Sequence, residues 1–476
     1  MMDGTNVPFQ LTNVRNQYLA VLAANIIYYG HGCGLGWNSP AVQILKDPIK
    51  TPLESGPLDN EDVSWIGSIN CMGALFGSLF CGYLISLLGC KRTLLFMSVP
   101  SATFWLLIYF GNSYYHILLG RFISGFYGAG IQTAQCLYVT EIANDNIRGR
   151  LGSFWLFIRN IGILTAYIFG STLEYREIPC ICICIPITFA IIFFMFPNTP
   201  RFHLYKEHTL AAENSLKFYK GYKGESNEED EAIYKELERL KSIVHEQKAE
   251  VKLQASDYFN STALKGLAIA VTLTVLSTFT ANHTLINYSV MIFERAETNI
   301  DPYLQSIVLA IALILGSLST TYFADILGRK ILCSISFLGS ALGLLSLSLY
   351  HYLHLNGNDL SAFAWVPVTS LSFVIFISAA GVLPMTMICG VEYIPPKIRT
   401  FGMAIIVFAT NLAAFGAVKA FPILLDSLDL YGCMVIHGVG CLVGTVFVVY
   451  VLEETTGKSL DNVGVDEKTT DELNSI

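Results

Sequence analysis

Charged residues are scarce in this chain. They make up 14% of its 476 residues, against about 25% in an average soluble domain. Hydrophobic residues make up 53%, and the mean hydropathy is +0.51. A chain with so little charge and so much apolar surface is not a soluble enzyme, a disordered chain or a nucleic-acid-binding protein. The formal net charge of −8 says little about partners, because the positions of the charges matter more than their sum.

Several familiar patterns are also missing. The twelve cysteines lie mostly within apolar runs and lack the spacing of a disulfide framework or a metal site. The first seventeen residues are polar and do not read as a cleaved signal peptide, so we expect the first apolar run to stay as a membrane anchor. Neither a Walker sequence nor a catalytic cluster of His, Asp and Ser is present. We therefore expect no enzymatic activity, no cofactor and no metal.

Long apolar runs are what the chain has in abundance. A bilayer-spanning helix needs roughly 20 mostly apolar residues, and we count twelve candidate runs. They lie at 18–37, 64–88, 93–111, 116–140, 152–173, 178–197, 263–293, 303–325, 331–352, 362–391, 401–423 and 430–452. The sequence therefore predicts an all-α membrane protein with twelve transmembrane helices and the lipid bilayer as its surroundings.

The basic residues predict the orientation. With the N-terminus inside, 22 of the 29 lysines and arginines lie on the cytoplasmic side and four lie outside. The remaining three, Arg121, Arg159 and Lys419, lie within spans. Cytoplasmic loops carry the excess of Lys and Arg in membrane proteins, so we expect both termini in the cytoplasm. The expected location of this multi-pass protein is the plasma membrane.

The polar stretch between the two sets of six spans predicts a division into parts. Ile233, Leu237, Leu240 and Ile243 recur at helical spacing within it. We expect an N-terminal half at 1–200, a cytoplasmic helical linker at 201–261, a C-terminal half at 262–453 and a tail at 454–476. The alternative for the linker is a charged, solvated segment.

The two halves share sequence features. Gly89 precedes Cys-Lys-Arg after span 2, and Gly328 precedes Arg-Lys after span 8; Glu141 lies seven residues before Arg148, and Glu392 lies seven before Arg399. These offsets of 239 and 251 residues predict two six-helix pseudo-repeats. Acids and bases at neighbouring helix ends can close one face of such a protein in one state and release it in the other. The alternative is that they only set topology.

The motifs together resemble the sugar porters of the major facilitator superfamily and, within them, the insect facilitated trehalose and glucose transporters. The resemblance covers nearly the whole chain. It rests on Gly36-Trp37-Asn38-Ser39-Pro40, Trp65 with Gly67 and Ser68, Gly120-Arg121-Phe122, Pro197-Asn198-Thr199-Pro200-Arg201, Asp325-x-x-Gly328-Arg329-Lys330, the two acid–arginine motifs, and Glu454-Thr455-Thr456-Gly457-Lys458-Ser459-Leu460.

The resemblance implies facilitative transport by alternating access of a small polar solute, a sugar such as glucose or trehalose. It also implies a gating network, for which the matching residues are Arg92, Glu141, Arg148, Arg201, Asp325, Arg329, Glu392, Arg399 and Glu454. Proton-coupled sugar porters carry an Asp in span 1, and the matching residue is Gly34. This favours a uniporter, although His31 nearby is a weak argument for coupling.

The sugar-binding motifs depart from the family pattern. Leu156 replaces a glutamine of span 5, and the span 7 motif Gln-Gln-x-Ser-Gly-Ile-Asn is replaced by the sequence from Ser277 to His283. The groups left to bind a solute are Arg159, Ser277, Thr278, His283, Asn287, Thr410 and Asn411. Because the pocket is so altered, two alternatives remain: a transporter of a non-sugar solute, and a non-transporting sensor or receptor with the same fold.

Arg159 is the most unusual member of that set. It lies nine residues beyond Arg150, or about 13 Å into the bilayer at 1.5 Å per residue. Ionisable groups at that depth are costly and usually functional. We expect either a cation that faces the cavity and binds an anionic or polyhydroxyl group, or a structural arginine paired with helix carbonyls.

Overall fold

A computed structural model describes residues 14–224, 227–248, 260–395 and 398–454. Within those ranges we number sixteen α-helices. They are α1 (Arg15–Lys46), α2 (Asn60–Phe110), α3 (Tyr114–Ile142), α4 (Asp145–Thr172), α5 (Glu177–Cys182), α6 (Cys184–Phe194), α7 (Pro200–Tyr205), α8 (Thr209–Lys220), α9 (Asn227–Lys248), α10 (Ser261–Ser277), α11 (Asn282–Arg295), α12 (Pro302–Leu327), α13 (Arg329–Leu355), α14 (Val366–Ala380), α15 (Val382–Tyr393) and α16 (Arg399–Val451).

The predicted membrane fold is confirmed. Nine helical segments of the described chain are long and apolar enough to cross a membrane. Two of these, α2 and α16, each hold two spans that meet at a non-helical residue, Gly89 and Asp429 respectively. The nine segments therefore hold eleven spans, and α3 adds the twelfth transmembrane helix of the major facilitator fold.

Some predicted spans are not single helices. The run 263–293 is divided between α10 and α11, and the run 362–391 is divided between α14 and α15. Ala281 has φ 59° at the first break and Gly381 has φ −123° and ψ −90° at the second. Hydropathy does not reveal such breaks, because apolar side chains continue through them.

The pseudo-repeat is visible in the backbone. Gly89 has φ 78° and ψ 165°, and Gly328 has φ 77° and ψ 170°. Both glycines turn the chain between consecutive spans in a region that other residues rarely adopt. A Cβ on Gly89 would lie 2.5 Å from the Phe202 ring, and one on Gly328 would lie 2.8 Å from Glu454 Oε2. Equivalent turns in the two halves are therefore built from the same residue in the same conformation.

The three linker helices α7, α8 and α9 pack on one face of the membrane domain, which we call the linker side; the opposite face is the distal side. Their own small core consists of Leu204, Ala212, Leu216, Ile233, Leu237 and Val244. Gln17 at the start of α1 donates to Tyr219 O at 3.1 Å, and the hydroxyls of Tyr138 and Tyr219 lie 3.0 Å apart. The linker helices are therefore anchored to the first half.

The halves meet along three helix pairs, α1 with α11, α2 with α16, and α4 with α12. In the second half, α10 packs against α15 and α16, both of its own half. The broken helix formed by α10 and α11 therefore has a linker-side part that belongs to the second half and a distal part that is bound to the first.

Candidate functional site

The second half contributes the broken helix to the centre of the bundle. α10 ends at Ser277, a 3-10 turn covers Thr278–Thr280, and α11 begins at Asn282. Ala281 between them has φ 59° and ψ 11°, a left-handed conformation that a residue with a Cβ rarely adopts. No side chain caps the new helix, so the first N–H groups of α11 lack helical acceptors. The positive end of a helix dipole therefore lies near mid-membrane.

Arg159 on α4 lies across from this break. Its guanidinium is within electrostatic range of Tyr28, His31 and His283, and its Cζ is 5.6 Å from the centre of the Trp155 ring. His283 belongs to the second half and its side chain is exposed. Because Arg159 of the first half lies within electrostatic range of it, the space that His283 faces is the cavity between the halves.

The hydrogen bonds of Arg159 are few. Among the described groups, Asn160 Oδ1 alone accepts from it, at 3.4 Å from Nε and 3.2 Å from Nη2. Asn160 is fully buried, and its Nδ2 has no partner within the described chain. Arg159 is partly exposed. It is therefore a cavity-facing cation held by one neutral neighbour.

His31 lies on the first-half wall of the same cavity. Its ring packs edge-on against Tyr127, with centroids 5.4 Å apart. A Cβ on Gly128 would lie 2.1 Å from His31 Cε1, so that glycine makes the slot in which the imidazole lies. The Nδ1 of His31 has no hydrogen-bond partner among the described residues.

Four of the predicted solute ligands bond within their own helices. Ser277 Oγ and Thr278 Oγ1 each donate to the carbonyl three residues earlier, at 2.6 and 2.7 Å. Thr410 Oγ1 and Asn411 Nδ2 each donate to the carbonyl four residues earlier, at 2.8 and 2.9 Å. The three hydroxyl donors are already satisfied, and one of the two N–H groups of the Asn411 amide is used, so the cavity offers a neutral sugar fewer donors than the sequence suggests.

Asn287, also predicted to bind solute, lies instead in a contact between the halves. Its Oδ1 accepts from Arg121 Nη2 at 3.0 Å, its Nδ2 donates to His283 O at 2.8 Å, and its backbone oxygen accepts from Asn38 Nδ2 at 3.1 Å. Both polar atoms of the side chain are therefore occupied by the protein.

Arg121 is fully buried. Besides Asn287, its guanidinium donates to Ile66 O at 3.2 Å from Nε and to Gly34 O at 2.9 Å from Nη1. It therefore joins α1, α2, α3 and α11 through three neutral oxygens. The protein therefore encloses the guanidinium of Arg121.

Tyr288 follows Asn287 and fills a slot between α2 and α16. Its hydroxyl is 3.3 Å from both Val63 O and Val418 O, and its ring stacks on Phe421 with centroids 5.8 Å apart. A Cβ on Gly67 would lie 2.0 Å from the Tyr288 hydroxyl. The small residue on α2 is therefore what admits the tyrosine.

Further bonds tie α11 to the first half. Ser39 Oγ lies 2.9 Å from Ser289 Oγ and accepts from Val290 N at 2.9 Å, and the Tyr167 hydroxyl donates to Ile286 O at 2.8 Å. We call the set around α11 the distal closure; its members are Gly34, Asn38, Ser39, Gly67, Arg121, Tyr167, Ile286, Asn287, Tyr288, Ser289 and Val290. These bonds hold α11 against the first half on the distal side.

The predicted gate residues of the first half gather below the membrane domain. Glu141, Arg148 and Arg201 line a cavity of about 200 Å³ together with Lys220 and Arg239 of the linker helices. Arg92 also lies on this side, with its Cζ 5.8 Å from the centre of the Phe202 ring. The first-half charges are therefore organised around the linker helices.

Those of the second half lie around Arg329. Arg329 Nη2 lies 3.4 Å from Glu392 Oε1, and Glu454 accepts from the backbone N–H groups of Arg329 and Lys330, both at 3.1 Å. Glu454 thus binds the N-terminus of α13, where a carboxylate complements the helix dipole. Arg399 begins α16. Asp325 belongs to α12, but its side chain lies outside the described residues, and pairing across the halves stays a prediction.

Sequence reasoning did not identify the distal closure. Three of its parts were noticed only as family motifs: the run Gly36–Pro40 that holds Asn38 and Ser39, the Trp65-x-Gly67 pair, and Gly120-Arg121-Phe122. A small residue that faces an aromatic side chain of the other half cannot be recognised from spacing along the sequence. The pairing of Asn287 with Arg121 likewise joins residues 166 positions apart.

The chain is similar to known transporters along most of its length. The profile of the family described as sugar (and other) transporter matches residues 26–466. The facilitated trehalose transporter Tret1 of Culex quinquefasciatus is 29% identical over 450 residues, which cover 94% of this chain and 85% of that protein. Tret1 of Polypedilum vanderplanki is 29% identical over 455 residues, covering 95% and 88%. The inward-open structure of the xylose transporter XylE from E. coli superposes with a TM-score of 0.76 at 19% identity, covering 94% of this chain and 99% of that one.

Proposed function

The chain belongs to the sugar (and other) transporter family, and on that premise we propose that it moves a sugar across a membrane by facilitated diffusion. The facilitated trehalose transporters among its relatives support a sugar as the solute. Glucose and trehalose are the neutral sugars we would test first. A central cavity lined by Arg159, His31 and His283 supplies the site.

The observation that supports alternating access best is the contrast between the two sides of that cavity. On the distal side α11 is bonded to the first half through Asn38, Ser39 and Tyr167. His283, two residues into the same helix, is exposed to the cavity. Release of α11 from the first half, with closure on the linker side, would open the cavity to the opposite compartment. The solute binds between these states.

A uniport mechanism is supported by the partners of Arg121. Gly34 stands where proton-coupled relatives carry an Asp, and its carbonyl accepts from Arg121 Nη1 at 2.9 Å. The other two partners, Ile66 O and Asn287 Oδ1, are also neutral. No carboxylate there can take up and release a proton, so nothing at this position couples proton flow to the conformational change.

We place the linker side in the cytoplasm of a plasma-membrane protein, with both termini on that side. The basic residues of the linker helices support this through the excess of Lys and Arg that cytoplasmic loops carry. The halves 1–200 and 262–453 then move as units about the solute. The linker helices α7, α8 and α9 brace the cytoplasmic side.

Counterflow in proteoliposomes tests this function. Vesicles preloaded with unlabelled trehalose or glucose should take up the labelled sugar transiently, and the rate should saturate with concentration. Protein-free vesicles from the same lipid are the control. A purified, monodisperse protein that gives no saturable flux of any sugar offered would contradict transport and favour a sensor with the transporter fold.

A further inference from the structure

Arg159 brings a positive charge to the central cavity, and no described carboxylate is paired with it. Along α4 the nearest carboxylates to Arg159 are Asp145 and Glu174, 14 and 15 residues away, or about 20 Å along a helix. α1 carries no acid from Arg15 to Lys46, and the first acid after His283 is Glu294 near the far end of α11. The sequence itself therefore supplies no carboxylate at this depth.

The donors of Arg159 are also not surrounded by neutral acceptors of the protein. Asn160 Oδ1 is its one described acceptor, at 3.2 Å at best, whereas the guanidinium has five N–H donors. The side chain is partly exposed to the cavity. A carboxylate and a phosphate both fit the fork of such a guanidinium, and the single negative charge of a carboxylate matches the single positive charge of Arg159, whereas a phosphate monoester carries about −1.5 to −2.

The second half adds to the positive potential at the same place. His283, the second residue of α11, lies within electrostatic range of Arg159. No side chain of the described residues caps α11, so its first N–H groups favour an anion. In broken membrane helices such half-helix ends point toward the anionic groups of solutes. Here the helix end is a supporting feature, because the guanidinium of Arg159 provides the full charge.

The usual partners of sugar hydroxyls are scarce around it. Ser277, Thr278, Thr410 and Asn411 donate to carbonyls of their own helices. Tyr28, His31 and His283 remain within electrostatic range of Arg159, and a phenol or a neutral imidazole can donate or accept a hydrogen bond. A site with one strong cation and these three polar rings suits a solute with one carboxylate and a few hydroxyls.

We infer that the solute is a sugar acid whose carboxylate pairs with Arg159, while His283 and His31 bind its hydroxyl groups. This inference rests on the proposed transport function and narrows its substrate class. Arg159 is then a specificity-determining residue that selects an acidic sugar over its neutral counterpart.

A matched pair of solutes tests the inference. D-Glucuronate and D-glucose differ in the oxidation state of one carbon, so labelled forms of both are offered to the same proteoliposomes in counterflow. We expect at least tenfold higher kcat/KM for glucuronate. In Arg159→Gln the ratio should fall to about one, and in Arg159→Lys, which keeps the charge, a preference for glucuronate should survive.

The outcomes separate the two proposals. Saturable glucose flux without glucuronate flux, or a ratio that Arg159→Gln leaves unchanged, overturns the inference and leaves facilitated sugar transport standing. Saturable flux of neither solute by a monodisperse protein overturns the inference, and it overturns the proposed function as well when trehalose also gives no flux. Transport of glucuronate together with a loss of preference in Arg159→Gln supports both.

A second measurement needs no variant. Uniport of a carboxylate carries one negative charge per cycle, and moving one charge through 100 mV is equivalent to about a 50-fold concentration ratio. An interior-positive potassium diffusion potential set with valinomycin should therefore concentrate glucuronate inside wild-type vesicles and leave glucose at equal concentrations. Glucuronate distribution that ignores the potential overturns the inference.

Discussion

Two arginines lie at membrane depth in the first half, and their surroundings differ. Arg121 is fully buried and donates to three oxygens from α1, α2 and α11. Arg159 is partly exposed and donates to one neighbouring amide oxygen. Both lack a carboxylate partner among the described residues. The comparison teaches that an intramembrane charge takes a structural role where the protein supplies its acceptors, and is available to a solute where the protein does not.

The largest expected effect breaks the enclosed site. Arg121→Leu leaves the oxygens of Gly34, Ile66 and Asn287 without their donor in a closed environment. Hydrogen bonds to a charged group contribute about 1.5–3 kcal/mol each, part of which is offset by no longer burying the charge. We expect a net loss of about 2–4 kcal/mol, read as a lower thermal midpoint in detergent.

Arg159→Leu is the matched control for that experiment. It removes a cation that has no described carboxylate partner, so the midpoint should stay close to that of the wild type. An equal loss of stability in both variants would show that Arg159 is a structural arginine, and the contrast between the two sites would be gone.

The next effect concerns transport itself. Arg159→Leu and His283→Leu should abolish saturable uptake while yield and monodispersity survive, because both side chains face the cavity. Thr410→Ala should keep uptake within about twofold of wild type, since its hydroxyl bonds to its own helix. Initial uptake rates against concentration measure all three. Normal uptake by both leucine variants would place the solute site elsewhere.

The distal closure can be weakened without touching a charge. In Gly67→Ala the new methyl group would lie 2.0 Å from the Tyr288 hydroxyl, so α2 and α11 must move apart. We expect about 1–2 kcal/mol less stability for the closed distal side, seen as faster amide hydrogen exchange over residues 282–295. Gly82→Ala on the same helix meets no atom within 4 Å and should leave exchange unchanged. If the two variants behave alike, the slot for Tyr288 does not hold the closure.

The smallest effect concerns the break itself. Ala281 has φ 59°, and the left-handed region costs a residue with a Cβ roughly 1–2 kcal/mol. Ala281→Gly should therefore raise the thermal midpoint by an amount that corresponds to about 0.5–1 kcal/mol, as glycine loses more entropy on folding. Ala270→Gly, in the helical interior of α10, should lower it. A lower midpoint in Ala281→Gly would show that the break is not strained.

The fold was predictable because its signals are local. Apolar runs, basic loops and the duplicated Gly89 and Gly328 turns each depend on residues close in the chain. The linker core was predictable for the same reason, since Ile233 and Leu237 share one helix face. The breaks at Ala281 and Gly381 were not, because side-chain hydrophobicity carries no information about backbone dihedral angles.

The candidate site was predictable in part. Arg159 and His283 were recognised as polar groups in apolar runs, and the structure places them across one cavity. Asn287 was also recognised as a polar group in an apolar run, but its side chain accepts a hydrogen bond from Arg121. Whether a polar side chain bonds to the protein or faces a cavity depends on groups far away in sequence, as Asn38 and Asn287 show. Hydroxyls such as that of Thr410 are a third case, because the carbonyl of the preceding helical turn accepts from them.

The most direct test of the account is whether transport is passive. Proteoliposomes that contain the protein are given an alkaline interior, with the membrane potential held at zero by potassium and valinomycin, and labelled solute is followed to equilibrium. Because the partners of Arg121 are neutral and Gly34 stands where an acid would be required, we predict equal internal and external concentrations, unaffected by a protonophore. Accumulation inside that the protonophore abolishes would contradict the uniport mechanism.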